Sequence, residues 1–218
     1  MPPTDRSQEF MTAHGASIRR TILQQFNPDS CIASTRVGQA LLEMFRTESF
    51  ALSVTLSIFN QAMMLRASQE GGLPPTQAVT KRWAEECGAW SLGVGFPVPG
   101  AGNDRWPGHL VLIVQRKWLW DLSIDQANRP ERGIVFKTPP VLPVTERFLR
   151  GREKLVEWWD GSLLVYDARP DDKSFRVSSN WDMDFRFHKK KTIHDLIEEA
   201  EREKDNADPF LKMLRDIP

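Results

Sequence analysis

Gly108-His109-Leu110-Val111-Leu112-Ile113-Val114-Gln115-Arg116-Lys117-Trp118-Leu119-Trp120-Asp121 is a pair of apolar runs around a short polar turn. That pattern predicts a β-hairpin whose first strand covers 109–114 and whose second covers 118–124. Side chains alternate across a strand, so His109, Val111 and Ile113 share one face while Leu110, Leu112 and Val114 share the other. On the second strand Asp121, Ser123 and Asp125 fall on the first face, and Trp118, Trp120, Leu122 and Ile124 on the second. Folding the chain about Gln115 sets His109 directly opposite Asp121. Directly opposed residues hold their Cβ atoms roughly 5 Å apart, near enough for a carboxylate to orient an imidazole. A carboxylate between Trp120 and Leu122 is costly without a partner, and His109 is the partner the hairpin offers. Asp125, four residues on, is the weaker orienter.

Upstream, Asn27-Pro28-Asp29-Ser30 punctuates the chain, and Asp29 and Ser30 are good N-cap residues. The run from Cys31 to Arg46 is then the strongest helix in the sequence, with Cys31 in its first turn. The positive end of a helix lowers a thiol pKa toward the reactive thiolate. Cys87, late in its own helix, lacks that help and reads as structural. A thiol, an imidazole and an orienting acid are the parts of a nucleophilic cysteine site. Such a site needs oxyanion donors as well. The Cys31 amide is one candidate, and the side chain of Gln25 (or Gln24) is another if the intervening loop folds back.

The remaining elements frame this centre. Residues 1–16 are polar and expected to be loose, and 17–27 place Ile18, Ile22 and Phe26 at helical spacing. Residues 51–58 alternate as a half-buried strand, 60–69 read as helix, and Thr76 caps a helix running to about Cys87. The Gly- and Pro-rich stretch 88–107 reads as a long loop. Further strands are expected at 134–136, 162–167 and 174–178, and a charged helix at 192–204. Helices first and strands afterwards predict an α+β fold, with N-terminal helices packed on an antiparallel sheet. One domain over 17–190 is expected, with a flexible 1–16 and a C-terminal helix and tail over 191–218.

The chain of 218 residues has 29 basic and 29 acidic side chains. That balance argues against a general nucleic-acid binder, and Lys189–Lys191 is the only basic cluster. No apolar run approaches a membrane span, and no secretory signal is visible. The expectation is a cytoplasmic protein with two reduced cysteines. Neither cysteine has metal-ligand spacing, so neither metal nor cofactor is expected.

Cysteine at a helix start, a strand opening with His109, then Trp118-Leu119-Trp120-Asp121 on the next strand resembles the transglutaminase-like branch of the papain-like cysteine superfamily. Arylamine acetyltransferases share the same Cys, His, Asp order. The resemblance covers roughly residues 20–135, and it departs from many members in having Ile32, not an aromatic residue, after the cysteine. It implies a papain-like core and a Cys31-His109-Asp121 triad, with Gln25 in the place of the papain oxyanion glutamine. The polar segment after the acid is a candidate for substrate binding through Gln126, Asn128 and Arg129 (or Arg132). Trp106 is a candidate for the rim of the cleft. The expected activity is thiol-dependent hydrolysis of an amide, peptide or isopeptide bond, in a protein, a peptide or a small amide or ester. The alternatives are transfer to an amine acceptor and a non-catalytic binding protein on the same fold.

Overall fold

A computed structural model describes residues 6–23, 26, 31–96, 108–177 and 181. Two helices, α1 (Arg6–Leu23) and α2 (Cys31–Met44), precede the long strand β1 (Ser49–Asn60). Helices α3 (Gln61–Glu70) and α4 (Gln77–Cys87) follow, then strands β2 (Ser91–Val94), β3 (His109–Val114), β4 (Trp118–Trp120) and β5 (Val141–Pro143). A short helix α5 (Glu146–Leu149) leads into β6 (Lys154–Trp159) and β7 (Ser162–Ala168). The strands form one antiparallel sheet in the order β5-β4-β3-β1-β7-β6. Strand β1 is its spine: residues 49–54 pair with β3, 56–59 with β2, and 54–60 with β7. The fold is thus α+β, with a nearly closed antiparallel sheet.

The alternation of β1 gives the sheet two distinct faces. Leu52, Val54, Leu56 and Ile58 join Val111 and Ile113 of β3 and Leu164 and Tyr166 of β7 in a core on the concave face. The opposite face of β3 and β4, through Leu112, Val114 and Trp120, packs on Val37, Leu41 and Leu42 of α2 and on Met11, Ile18 and Ile22 of α1. Each such aliphatic side chain contributes about 1.5–3 kcal/mol on full burial, so two apolar faces clamp the hairpin. Helix α2 approaches closely because residue 38 is glycine: a Cβ there would sit 2.6 Å from Leu122 Cδ1.

As far as Leu122 the hairpin keeps the expected faces but not the expected register; Ile124, expected beside Trp120 and Leu122, lies in the other core with Val111 and Ile113. Val114 pairs with Trp118 and Leu112 with Trp120, so the pivot is Arg116, not Gln115. Gln115 and Arg116 both take left-handed backbone, φ 51° and 55°, and Lys117 N–H donates to the Val114 carbonyl. In this register His109 and Asp121 are diagonal neighbours, not directly opposed. Only an odd slip exchanges the faces of a strand, and this slip is even, so the two remain on one face.

Other boundaries moved for local reasons. Helix α1 begins at Arg6, so residues 6–16, expected to be loose, are helical. Strand β2 lies inside the expected loop 88–107, and β4 ends at Trp120. The Asp121 carboxylate accepts from the Ser123 amide, the two-residue capture that turns a chain out of a strand. Residues 124–127 then form a 3-10 turn. At 134–136 only Ile134 makes a bridge, to Arg129, while the Asn128 side chain pairs with both backbone groups of Phe136. Ser174–Val177 is a 3-10 turn where a strand was expected. Strands β5 and β6 were not expected. The helix expected at 192–204, and Lys189–Lys191, lie outside the described residues.

Candidate active site

Helix α2 presents Cys31, Ser34, Thr35 and Gly38 along one stripe, at the i, i+3, i+4, i+7 spacing of a single helix face. Gly38 sits against the hairpin, and the Thr35 hydroxyl donates to the Leu110 carbonyl at 3.2 Å. A helix held to β3 at Thr35 places the residue one turn earlier beside the start of that strand. Cys31 accordingly lies close enough to His109 to help raise the pKa of its imidazole, behind Asp121. The thiol is buried in an apolar cluster with Ile32, Leu110 and Phe175, against which Trp181 packs. Cys87, by contrast, is exposed, and its thiol donates to the Trp83 carbonyl.

His109 and Asp121 are both fully buried. His109 Nε2–H donates to Asp121 Oδ2 at 2.7 Å. The same oxygen accepts from the Tyr166 hydroxyl at 3.0 Å, and Oδ1 accepts from Ser123 N–H at 3.1 Å. A carboxylate with this many donors is stable without water. Burial pulls the His109 pKa down, but the Asp121 charge and hydrogen bond, and then Cys31, overcome it and raise it to about 10. Burial, and then the Asp121 charge, push the Tyr166 phenol well above its usual range, so it stays a donor.

The second ring nitrogen, Nδ1, meets the Gln126 side-chain nitrogen at 2.7 Å. In the neutral ring with its proton on Nε2, that amide donates to Nδ1. Gly95, just after β2, packs against the start of β3. Its φ is +77°, and a Cβ there would lie 2.6 Å from the His109 backbone nitrogen and 2.8 Å from the Val54 carbonyl oxygen.

The structure therefore brings Cys31, His109, Asp121 and Gln126 together. Asn128 and Arg129 are used internally: Asn128 holds Phe136, and Arg129 Nη1 donates to the carbonyls of Gln126 and Asn128. Arg132 lies over the Trp90 ring and beside Glu131. Asp125 pairs with Arg19, not with His109. Gln24, Gln25 and Trp106 lie outside the described residues. Sequence reasoning missed Tyr166 and Arg19, whose partners are 45 and 106 residues away. The one available signal is that Tyr166 falls on the inward face of an alternating strand with a polar tip to satisfy.

Among the described residues no group of three or more His, Cys, Asp or Glu side chains could hold a metal ion. No described helix is long and apolar enough to cross a membrane. Comparison with protein-family models, curated proteins and solved structures finds no match to this chain.

Proposed function

We propose that this protein is a thiol-dependent acyl-transfer enzyme acting through Cys31, His109 and Asp121. The observation that carries this is His109 itself, fully buried and bonded to a carboxylate. It is close enough to the Cys31 thiol, which packs on the neighbouring Leu110, for the thiol to help raise its pKa. Asp121 fixes the ring with its Nε2 proton inward and favours the charged imidazolium. The thiol proton then passes to Nδ1, from which the Gln126 amide N–H must turn away, giving a thiolate–imidazolium pair. Cys31 Sγ attacks the carbonyl carbon of an amide or ester. His109 returns the proton to the leaving amine or alcohol as the C–N or C–O bond breaks, leaving a thioester on Cys31. Water, deprotonated by His109, releases the acid and restores the thiol. An amine in place of that water makes the enzyme a transferase.

A helix start that carries the nucleophile, docked beside a curled antiparallel sheet that carries base and acid, supports the papain-like, transglutaminase-like core implied by the resemblance. We assign the protein to the cytoplasm, where both thiols stay reduced. Its substrate class is an amide or ester of a protein, a peptide or a small molecule. The α2 N-terminus and its Cys31 amide supply the oxyanion side.

The test is the pH dependence of iodoacetamide alkylation at Cys31 and Cys87, followed by mass spectrometry. Access alone favours the exposed Cys87. Faster reaction at the buried Cys31 near neutrality, with an inflection well below the free-thiol value of about 8.5 and lost in His109→Ala, is the expected result. A slow, His109-independent Cys31 overturns the enzyme reading and favours a binding protein on this fold.

A further inference from the structure

Arg19 is a buried cation that takes no part in the Cys31-His109-Asp121 triad: its side chain is 5% exposed in helix α1. A guanidinium in that position is costly unless it is fully engaged. Its Nε donates to Asp125 Oδ1 at 2.8 Å and its Nη1 to Ser34 Oγ at 2.7 Å. These partners belong to the two walls of the candidate site. Ser34 is three residues along α2 from Cys31, while Asp125 precedes Gln126, whose side chain meets His109. A planar guanidinium offers its donors at fixed angles, so bonds to two partners fix their separation as well as their attraction. The Thr35–Leu110 bond ties the same helical turn to β3. The first turn of α2 is thus fixed at two points by directional bonds.

We propose that Arg19 is a positioning residue, which by joining Ser34 to Asp125 sets the spacing between the Cys31 helix and the His109–Gln126 wall. This rests on the thiol-enzyme reading of the site. Arg19 acts on reactivity through the Cys31–His109 pair alone and contributes no chemistry of its own.

The experiment uses the full chain with Cys87→Ser, so that iodoacetamide reports Cys31 only. Arg19→Met and Arg19→Lys are compared with and without His109→Ala, each checked for native near-ultraviolet circular dichroism. Loosening a reacting pair by a fraction of an ångström should slow alkylation at neutral pH about tenfold in Arg19→Met. Its pH inflection should move toward the free-thiol value. Arg19→Lys should fall between, because an ammonium keeps the charge but not the fixed fork. In the His109→Ala background Arg19→Met should change nothing further. Equal slowing with and without His109, or no slowing in Arg19→Met, overturns the proposal. If Arg19→Met fails to fold, Asp125→Asn weakens the same tie and must still slow alkylation in a His109-dependent way. An unchanged rate in His109→Ala alone overturns the thiol-enzyme reading itself, so the two failures are distinguishable.

Discussion

The base side and the nucleophile side of the site are held by different forces. His109 stands in a stack of directional bonds, in which Asp121 accepts hydrogen bonds from the imidazole, the Tyr166 phenol and the Ser123 amide. Cys31 stands in an apolar cluster with Ile32, Leu110 and Phe175, its place set by how α2 docks. The first arrangement fixes protonation and ring orientation. The second fixes distance and access. Substitutions on the base side should therefore change chemistry and stability together, whereas those on the nucleophile side should change stability and access in opposite directions.

The largest break comes at Asp121. In Asp121→Ala, His109 and Tyr166 are left buried with polar atoms unpaired, and a loss of about 3–5 kcal/mol is expected from urea unfolding. Without the carboxylate, burial lowers the His109 pKa, and Cys31 should alkylate like an ordinary thiol. On the other side, Phe175→Ala should cost about 3 kcal/mol as a buried aromatic truncation. It should nevertheless speed labelling of Cys31 by a bulky maleimide, since the ring that shares its cluster is gone. Equal slowing in both variants would erase the distinction.

A third test concerns pH. His109 rises from about 6.5 in the unfolded chain to about 10 in the fold, so the folded state holds a proton that the unfolded state has lost. The stabilisation is complete below pH about 6.5 and disappears as pH climbs toward 10. Unfolding free energy should fall across that window with a slope of up to about 1.4 kcal/mol per pH unit. His109→Gln should flatten the slope, and an unchanged profile in that variant would refute the assignment to His109. The smallest effect is expected in Thr35→Val, which removes one buried hydrogen bond worth about 1 kcal/mol. Alkylation of Cys31 should slow severalfold while the pH–stability slope keeps its size.

The placement of His109 and Asp121 on one face was legible because period-two alternation survives an even slip of register. The register itself was not, since left-handed backbone at Gln115 and Arg116 carries no glycine or asparagine to announce the turn. The start of α1 was hidden for a different reason. Its buried surface includes His14 and Arg19 alongside Met11, Ile18 and Ile22, so polar residues interrupt the apolar stripe. Edge strand β6 exposes Val156 and Trp158 and lacks clean alternation. The Thr76 cap, by contrast, read directly: it accepts from the Val79 amide, and its helix runs from Gln77 to Cys87 as expected. Tyr166 and Arg19 reach the site only through tertiary pairing, of β7 with β1 and of α1 with the turn after β4, which no local pattern encodes.

The Tyr166 phenol that donates to Asp121 belongs to the only tyrosine in the chain. Tryptophan does not ionise in the alkaline range, so the tyrosinate absorbance band has a single source. An alkaline spectrophotometric titration is thus a background-free optical report on the acid end of this site. The band should stay dark while the core holds and appear only as the strands around Asp121 come apart.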